Sequence, residues 1–293
     1  MSPSEPPEIP LVSSIFHPSD FSSAGKNAFA HALAIALIRQ TAFTILNVSR
    51  DGEGDEGWTR FPAVRATLER WSLLEPGSPR SAVFDELNIR VKKVSLGGRD
   101  PVAATLDYLD RNPTDLIVLA TEGREGIPRW LDRSVGESLA RRSETSTLFV
   151  PEGAKGFVSM EDGHLSLSRV LLPVDRAPDP RAAIQFATRA ARALGNGDVE
   201  ITALHVGSGG APAFELPEDP AWHWRVETRT GEVVDEIAAA AADGKADLII
   251  MTTEGHRGVL DALRGSTTER VLRQSPCPLL AVPIAWVDRV TGA

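Results

Sequence analysis

Residues 252–274 read TTEGHRGVLDALRGSTTERVLRQ, and this stretch holds the side chains and backbone best suited to meeting an anion. Ser266 and Glu269 form an S-x-x-E capping box ahead of a helix-like segment, 267–274. The first amides of a helix lack partners inside it and carry partial positive charge, so they attract phosphate or carboxylate. Gly255, Gly258 and Gly265 would let a phosphate chain approach the backbone closely, Ser266 and Thr267 would add hydroxyl donors, and His256 and Arg257 would reach phosphates from the side. Each feature also has a plainer reading. Ser266 caps a helix, the glycines turn the chain, and His256 and Arg257 sit in a solvated loop, because a glycine-rich loop alone does not specify a ligand.

Other reactive residue types lack partners in the pattern. Asp20 and Asp175 each end a strand-like run, with no base or nucleophile in a recognisable constellation, so ligand hydrogen bonding fits them better than acid catalysis. No catalytic residue and no metal ligand is assigned, because no His, Cys, Asp and Glu set has zinc-ligand spacing. His17 and His205 fall near the same strand ends, and hydrogen-bonded strand histidines are the expectation over catalytic bases. The lone cysteine, Cys277, lies between Pro276 and Pro278 and reads as core. Trp222 and Trp224 alternate with His223 and Arg225, as on one strand face against a core.

The elements that must position these residues come from a duplication. Residues 115–123 read DLIVLATEG and residues 247–255 read DLIIMTTEG, each a short apolar run suited to a strand buried on both faces of a parallel sheet. Upstream, IFHPSD (15–20) matches VLLPVD (170–175) in its apolar lead, Pro and terminal Asp. Helices are expected at 23–39 and 180–194, followed by strands at 42–48 and 199–206. Third strands are expected at 89–94 and 222–228, further helices at 101–110 and 232–242, and closing strands at 146–151 and 278–283. The pattern predicts an α/β protein of two tandem Rossmann-like domains, each a mostly parallel five-stranded sheet covered by helices on both faces. Ligands in such sheets sit at the carboxyl ends of strands, near a topological switch point. The first half is longer, with an added helix expected at 60–74 on the spacing of Val64, Leu68, Trp71 and Leu74. Residues 152–167, with three glycines and no sustained periodicity, are expected to link a first domain, 9–151, to a second, 168–284.

The chain has 293 residues, room for two domains, and a formal charge of -9 that disfavours nucleic acid and anionic membranes as partners. With a single cysteine there is no intrachain disulfide, and no apolar stretch is long enough to span a bilayer. A cytoplasmic location is expected.

On these motifs the two repeats resemble tandem universal stress protein domains. The family pattern G-x2-G-x9-G-[ST] is met by Gly255 and by Gly265-Ser266, with Thr252 at the first glycine; Asp175, preceded by Pro173 and Val174, is similar to the family's acidic residue facing the nucleoside, and Val206 after His205 to the valine against adenine. The resemblance implies an adenine nucleotide, ATP above all, bound by the second half, with Mg2+ as its companion where phosphates are held. In the first half Ala120 and Arg133 replace glycines, Gly123 remains, and Ser134 and Glu137 keep a capping box, so an obstructed site is expected there. Family dimers also suggest that the closing strands pair the two halves edge to edge, or pair two chains as a homodimer. Three functions stay open: a stress-response nucleotide-binding regulator, a slow ATPase, and a nucleotide-free interaction module. Efficient phosphoryl transfer would require a positioned water and charge stabilisation that the motifs do not identify.

Overall fold

Short aliphatic runs bounded by polar turns form the strands, and segments with apolar residues at three- and four-residue spacing form the helices that cover them. A computed structural model describes residues 12–21, 25–49, 62–121, 145–218, 222–253 and 267–285. Its first half contains β1 (Ser14–Pro18), α1 (Gly25–Arg39), β2 (Ala42–Ser49), α2 (Val64–Arg70), α3 (Ala82–Asp85), β3 (Arg90–Gly97), α4 (Pro101–Arg111), β4 (Leu116–Thr121) and β5 (Ser146–Pro151). The second contains β6 (Leu167–Pro173), α5 (Arg181–Leu194), β7 (Gly195–Val206), β8 (Trp222–Arg229), α6 (Val233–Asp243), β9 (Leu248–Thr253), α7 (Thr267–Gln274) and β10 (Leu279–Pro283).

The strands form one ten-stranded sheet in the order β3-β2-β1-β4-β5-β10-β9-β6-β7-β8. Every described pairing is parallel except that of β5 with β10, where Leu148 lies opposite Leu280 in antiparallel register. The architecture is therefore the α/β arrangement expected, with the same strand order running outward from β5 and from β10. Central strands β4, β5, β9 and β10 are buried on both faces, which is why they read as continuous apolar runs. One apolar layer, including Leu33, Ile45, Leu172 and Phe186, lies under α1 and α5; the other, including Phe16, Leu119, Leu171 and Val271, lies under α4, α6 and α7. Both layers run through the two halves.

Register lets the halves be overlaid residue by residue. Pro18 pairs with Leu46 as Pro173 pairs with Leu204, and Ile15 with Leu116 as Val170 with Leu248. The aspartates that open the two repeated nonapeptides do the same structural work. Asp115 Oδ2 accepts from Ser13 N at 2.9 Å and Ser14 Oγ at 3.2 Å, and Asp247 Oδ2 accepts from Ser168 N and Oγ, both at 2.9 Å. Each ties the start of its half's first strand to the start of its fourth.

One expectation is revised. The added helix is shorter, Val64–Arg70, because Ser72 adopts a left-handed φ of 57° that stops it, though Val64, Leu68, Trp71 and Leu74 are all buried as their spacing implied. Residues 152–167, expected to link the halves, close a loop against α1. Val158 bridges Leu165, Ser166 N donates to Phe157 O at 2.9 Å, and Phe157 is 1% exposed. Asn27 Nδ2 donates to Ala154 O, the His31 ring stands edge-on to Phe157 at 4.7 Å, and Trp71 Nε1 donates to Met160 O. Glycine is required twice in this packing. A Cβ on Gly156 would lie 2.2 Å from His31 Cε1, and one on Gly163, whose φ is +72°, would lie 2.5 Å from the Trp71 ring. Covered by the sheet on one side and this loop on the other, α1 is buried around most of its circumference.

Candidate functional site at the carboxyl edge

Parallel strands β6 and β9 pair only at Val170–Leu248 and Leu171–Ile249, and β1 and β4 pair only at Ile15–Leu116 and Phe16–Ile117. Beyond those residues the strands leave the ladder. Each half thus has a switch point, where its first strand lies between neighbours whose connections run in opposite directions, and the crevice beyond the carboxyl ends is the natural ligand position.

In the second half, Pro173 ends β6, Val174 follows buried with its N–H donating to Leu204 O at 2.8 Å, and Asp175 emerges exposed. Asp175 Oδ1 accepts from Arg176 N at 2.7 Å, which orients the carboxylate. His205 is buried and its Nδ1 donates to Val174 O at 3.3 Å, joining the ends of β6 and β7. In the matched position of the first half Asn47 Nδ2 donates to Ser19 O at 2.7 Å. The two residue types share a ring or amide N–H, which the strand-end carbonyl requires. Gly207 admits the imidazole, since a Cβ there would sit 3.0 Å from Nε2. Val206, one residue on, is half-buried on the α6 side.

Thr252, at the position of the family pattern's first glycine, is buried, and its Oγ1 accepts from Ala183 N at 3.2 Å in the first turn of α5. Asp179 Oδ1 accepts from Arg181 N at 2.9 Å in the same turn. The start of α5 therefore has internal acceptors for amides that would otherwise call for an anion. Thr252→Val removes one acceptor while keeping the shape, and is expected to destabilise the fold by about 1–3 kcal/mol, whereas Thr252→Ser should retain most of it. Equal denaturant midpoints for the two variants would contradict this role.

Thr253 and its counterpart Thr121 end β9 and β4 on the opposite face, buried, with hydroxyls that have no partner among the described residues. Thr267 opens α7 and is exposed. Gly255, His256, Arg257, Gly265 and Ser266 lie outside the described residues, as do Gly123, Arg133, Ser134 and Glu137 of the first half. The structure thus gathers Pro173, Val174, Asp175, His205, Val206 and Thr252 along one edge, with Asp175 its exposed acidic group.

The remaining chemistry-bearing residues are structural. His17 does not face the crevice: it is fully buried beneath α1, 6.2 Å from the Phe29 ring, and its Nδ1 donates to Val118 O at 3.0 Å where β1 and β4 part. Burial pushes its pKa down to about 4. Cys277 is buried, and that burial pushes its thiol up to about 12, so it is no nucleophile at neutral pH. Trp222 is core and Trp224 half-buried, and both indole N–H groups donate to Pro217 O. Among the described residues no cluster of three or more His, Cys, Asp or Glu is placed to hold a metal, and no helix is long and apolar enough to cross a membrane.

The model of the universal stress protein family matches residues 13–151 and 216–283. A universal stress protein of Methanocaldococcus jannaschii is 38% identical over 77 residues, 25% of this chain and 45% of that protein, so the chain spans less than half the length of that relative. Among solved structures, a universal stress protein from Archaeoglobus fulgidus superposes with a TM-score of 0.57 at 17% identity, covering 92% of this chain and 98% of that one. A functionally unknown protein from Pseudomonas aeruginosa superposes at 0.53 with 13% identity, covering 96% and 98%. These two likenesses concern the fold. The unmatched stretch, 152–215, contains β6, α5 and β7, which complete the second half of the sheet in the order of the first. With the family model matching well over half of its length, the chain belongs to the universal stress protein family.

Proposed function

We propose that this protein is a cytoplasmic stress-response regulator that binds one adenine nucleotide, ATP, at the carboxyl edge of its second half. The observation that carries this reading is the exposed carboxylate of Asp175 at the β6–β9 switch point, in the half whose sequence keeps Gly255, Gly265 and Ser266. Asp175 takes a ribose hydroxyl, Val206 lies against the base, and the segment from Gly255 to Thr267 receives the phosphates, with Mg2+ beside them. Domains 9–151 and 168–284 stand in for the two subunits of a dimer, paired through β5 and β10, with 152–167 as their connection. Binding rather than turnover is the reading favoured, because the motifs identify no positioned water or charge stabilisation for phosphoryl transfer.

Asp175→Ala is expected to weaken adenine-nucleotide affinity about tenfold or more, by loss of a charge-assisted hydrogen bond, with an unchanged unfolding transition because the side chain is exposed. Calorimetric titration of the folded variant tests this, and an affinity equal to that of the parent protein would remove Asp175 from the site. Sustained phosphate release above a Ser266→Ala, Gly265→Arg control would instead make the protein an ATPase.

A further inference from the structure

The duplication supplies an internal control for a second cleft, on the face of the sheet covered by α4 and α6. In the first half Tyr108 of α4 lies over the sheet, its ring 5.9 Å from that of Phe16, with Lys92 Nζ 5.3 Å above its centroid. Strand register matches Phe16 with Leu171 and Lys92 with Arg225, and Tyr108 and Ala240 stand at the same spacing ahead of the repeated Asp115 and Asp247. Leu171, Arg225 and Ala240 all line a cleft of about 200 Å³ in the second half. Where one half places a phenol ring, the other has a methyl group and open space. Its walls keep a cation in the position from which Lys92 meets the Tyr108 ring.

The rim differs in the same direction. Val94 and Leu96 of the first half correspond to Glu227 and Arg229, which are committed to one another at 2.6 Å, with Asp243 3.3 Å from Arg229. Arg225 shares Glu227 at 3.8 Å. Arg169 and Glu200 are neighbours in register on β6 and β7 and both exposed, yet no ion pair within 4.0 Å joins them among the described residues. One cation and one carboxylate are therefore presented side by side above an apolar floor of Leu171 and Ala240.

We propose that this cleft binds a free aromatic amino acid, its ring in the space that Tyr108 fills in the first half, its carboxylate on Arg169 and its ammonium on Glu200. The volume admits one substituted ring and falls below the roughly 300–1,000 Å³ of sites for drug-sized ligands, which excludes a nucleotide. Arg225 brings its guanidinium over the ring where Lys92 brings its ammonium over Tyr108. The site is separate from the nucleotide edge and independent of it.

The test is saturation-transfer NMR on the full chain with L-phenylalanine as probe, alongside phenethylamine, which lacks the carboxylate, and L-leucine, which lacks the ring. Phenylalanine is expected to bind at millimolar concentration, and the other two about tenfold more weakly. Ala240→Tyr fills the cleft from within and should abolish the signal. Arg169→Glu, an exposed change that leaves the core untouched, should weaken it about tenfold or more. Calorimetric titration with ATP should be the same for both variants as for the parent, which separates failure here from failure of the nucleotide assignment. Absence of phenylalanine binding, an undiminished signal in both variants, or equal binding of leucine would overturn the proposal.

Discussion

Acidification from pH 7 to pH 4 is expected to destabilise the fold by roughly 6 kcal/mol through two histidines alone. His17 and His31 are both fully buried, and burial pushes each pKa from 6.5 down to about 4. His17 is faced by the Val118 carbonyl, the Phe29 ring and, more distantly, Asp20, whose charge opposes the shift without cancelling it. His31 is held between the Asn27 carbonyl and Phe157. In both rings Nδ1 is bonded and Nε2 has no partner among the described residues, so the neutral form is the one accommodated. Because the folded pKa lies below the unfolded value, the unfolded chain takes up protons first as pH falls. Stability is complete above pH 6.5 and is lost progressively down to pH 4, by about 3 kcal/mol per histidine. His17→Leu, which copies Leu172 of the second half, should remove half of that dependence. Denaturant titrations at pH 7 and pH 4.5 measure it, and parallel pH profiles for the variant and the parent would contradict the burial argument.

Separating the halves should change the state of association. In the intact chain β10 is hydrogen-bonded on one side to β9 and on the other to β5, through Leu279–Phe149, Leu280–Leu148 and Ala281–Thr147. A fragment of residues 165–293 would present β10 as an open edge of five buried residues without a charged side chain. Such an edge recruits another strand, and the antiparallel geometry it already uses would let two copies pair β10 with β10. Most of the expected driving force is apolar: the face of α5 that meets α1 is also uncovered. Sedimentation of the fragment should show a dimer or larger species across the micromolar range, and a soluble monomer at high concentration would show that β5 is dispensable to β10.

Much of this fold is legible in the sequence. The runs LIVLAT and LIIMTT each open with four consecutive apolar residues because both faces of β4 and β9 are covered, and that burial makes them readable as central strands. The positions of Val64, Leu68, Trp71 and Leu74 are legible for the same reason, since one helical face meets the core. What escapes is whatever depends on contact across a long stretch of chain. Phe157 and Val158 sit among glycines with no period to mark them, and their burial comes from α1, more than a hundred residues upstream. The strand-stapling role of Asp115 and Asp247 is hidden because their partners lie 101 or 102 and 78 or 79 positions away. His17 illustrates the limit from the other side: its place at a strand end suggests the ligand edge, whereas its alternation along β1 points it beneath α1. At the candidate site, Asp175 is legible as a strand-terminal acid, but the use of Thr252 as an acceptor for α5 appears only when the switch point is assembled.

The most direct measurement is the number of adenine nucleotides bound per chain. The second half of the sequence keeps Gly255, Gly265 and Ser266, whereas Arg133 replaces the corresponding glycine of the first, a substitution expected to obstruct the close backbone approach that glycine permits. Calorimetric titration of the parent protein with ATP should give a stoichiometry near one, and Gly265→Arg should abolish binding while Asp20→Ala leaves it intact. Two equivalent sites would place nucleotide in both halves, and binding that survives Gly265→Arg and disappears with Asp20→Ala would place it in the first; either result contradicts the assignment.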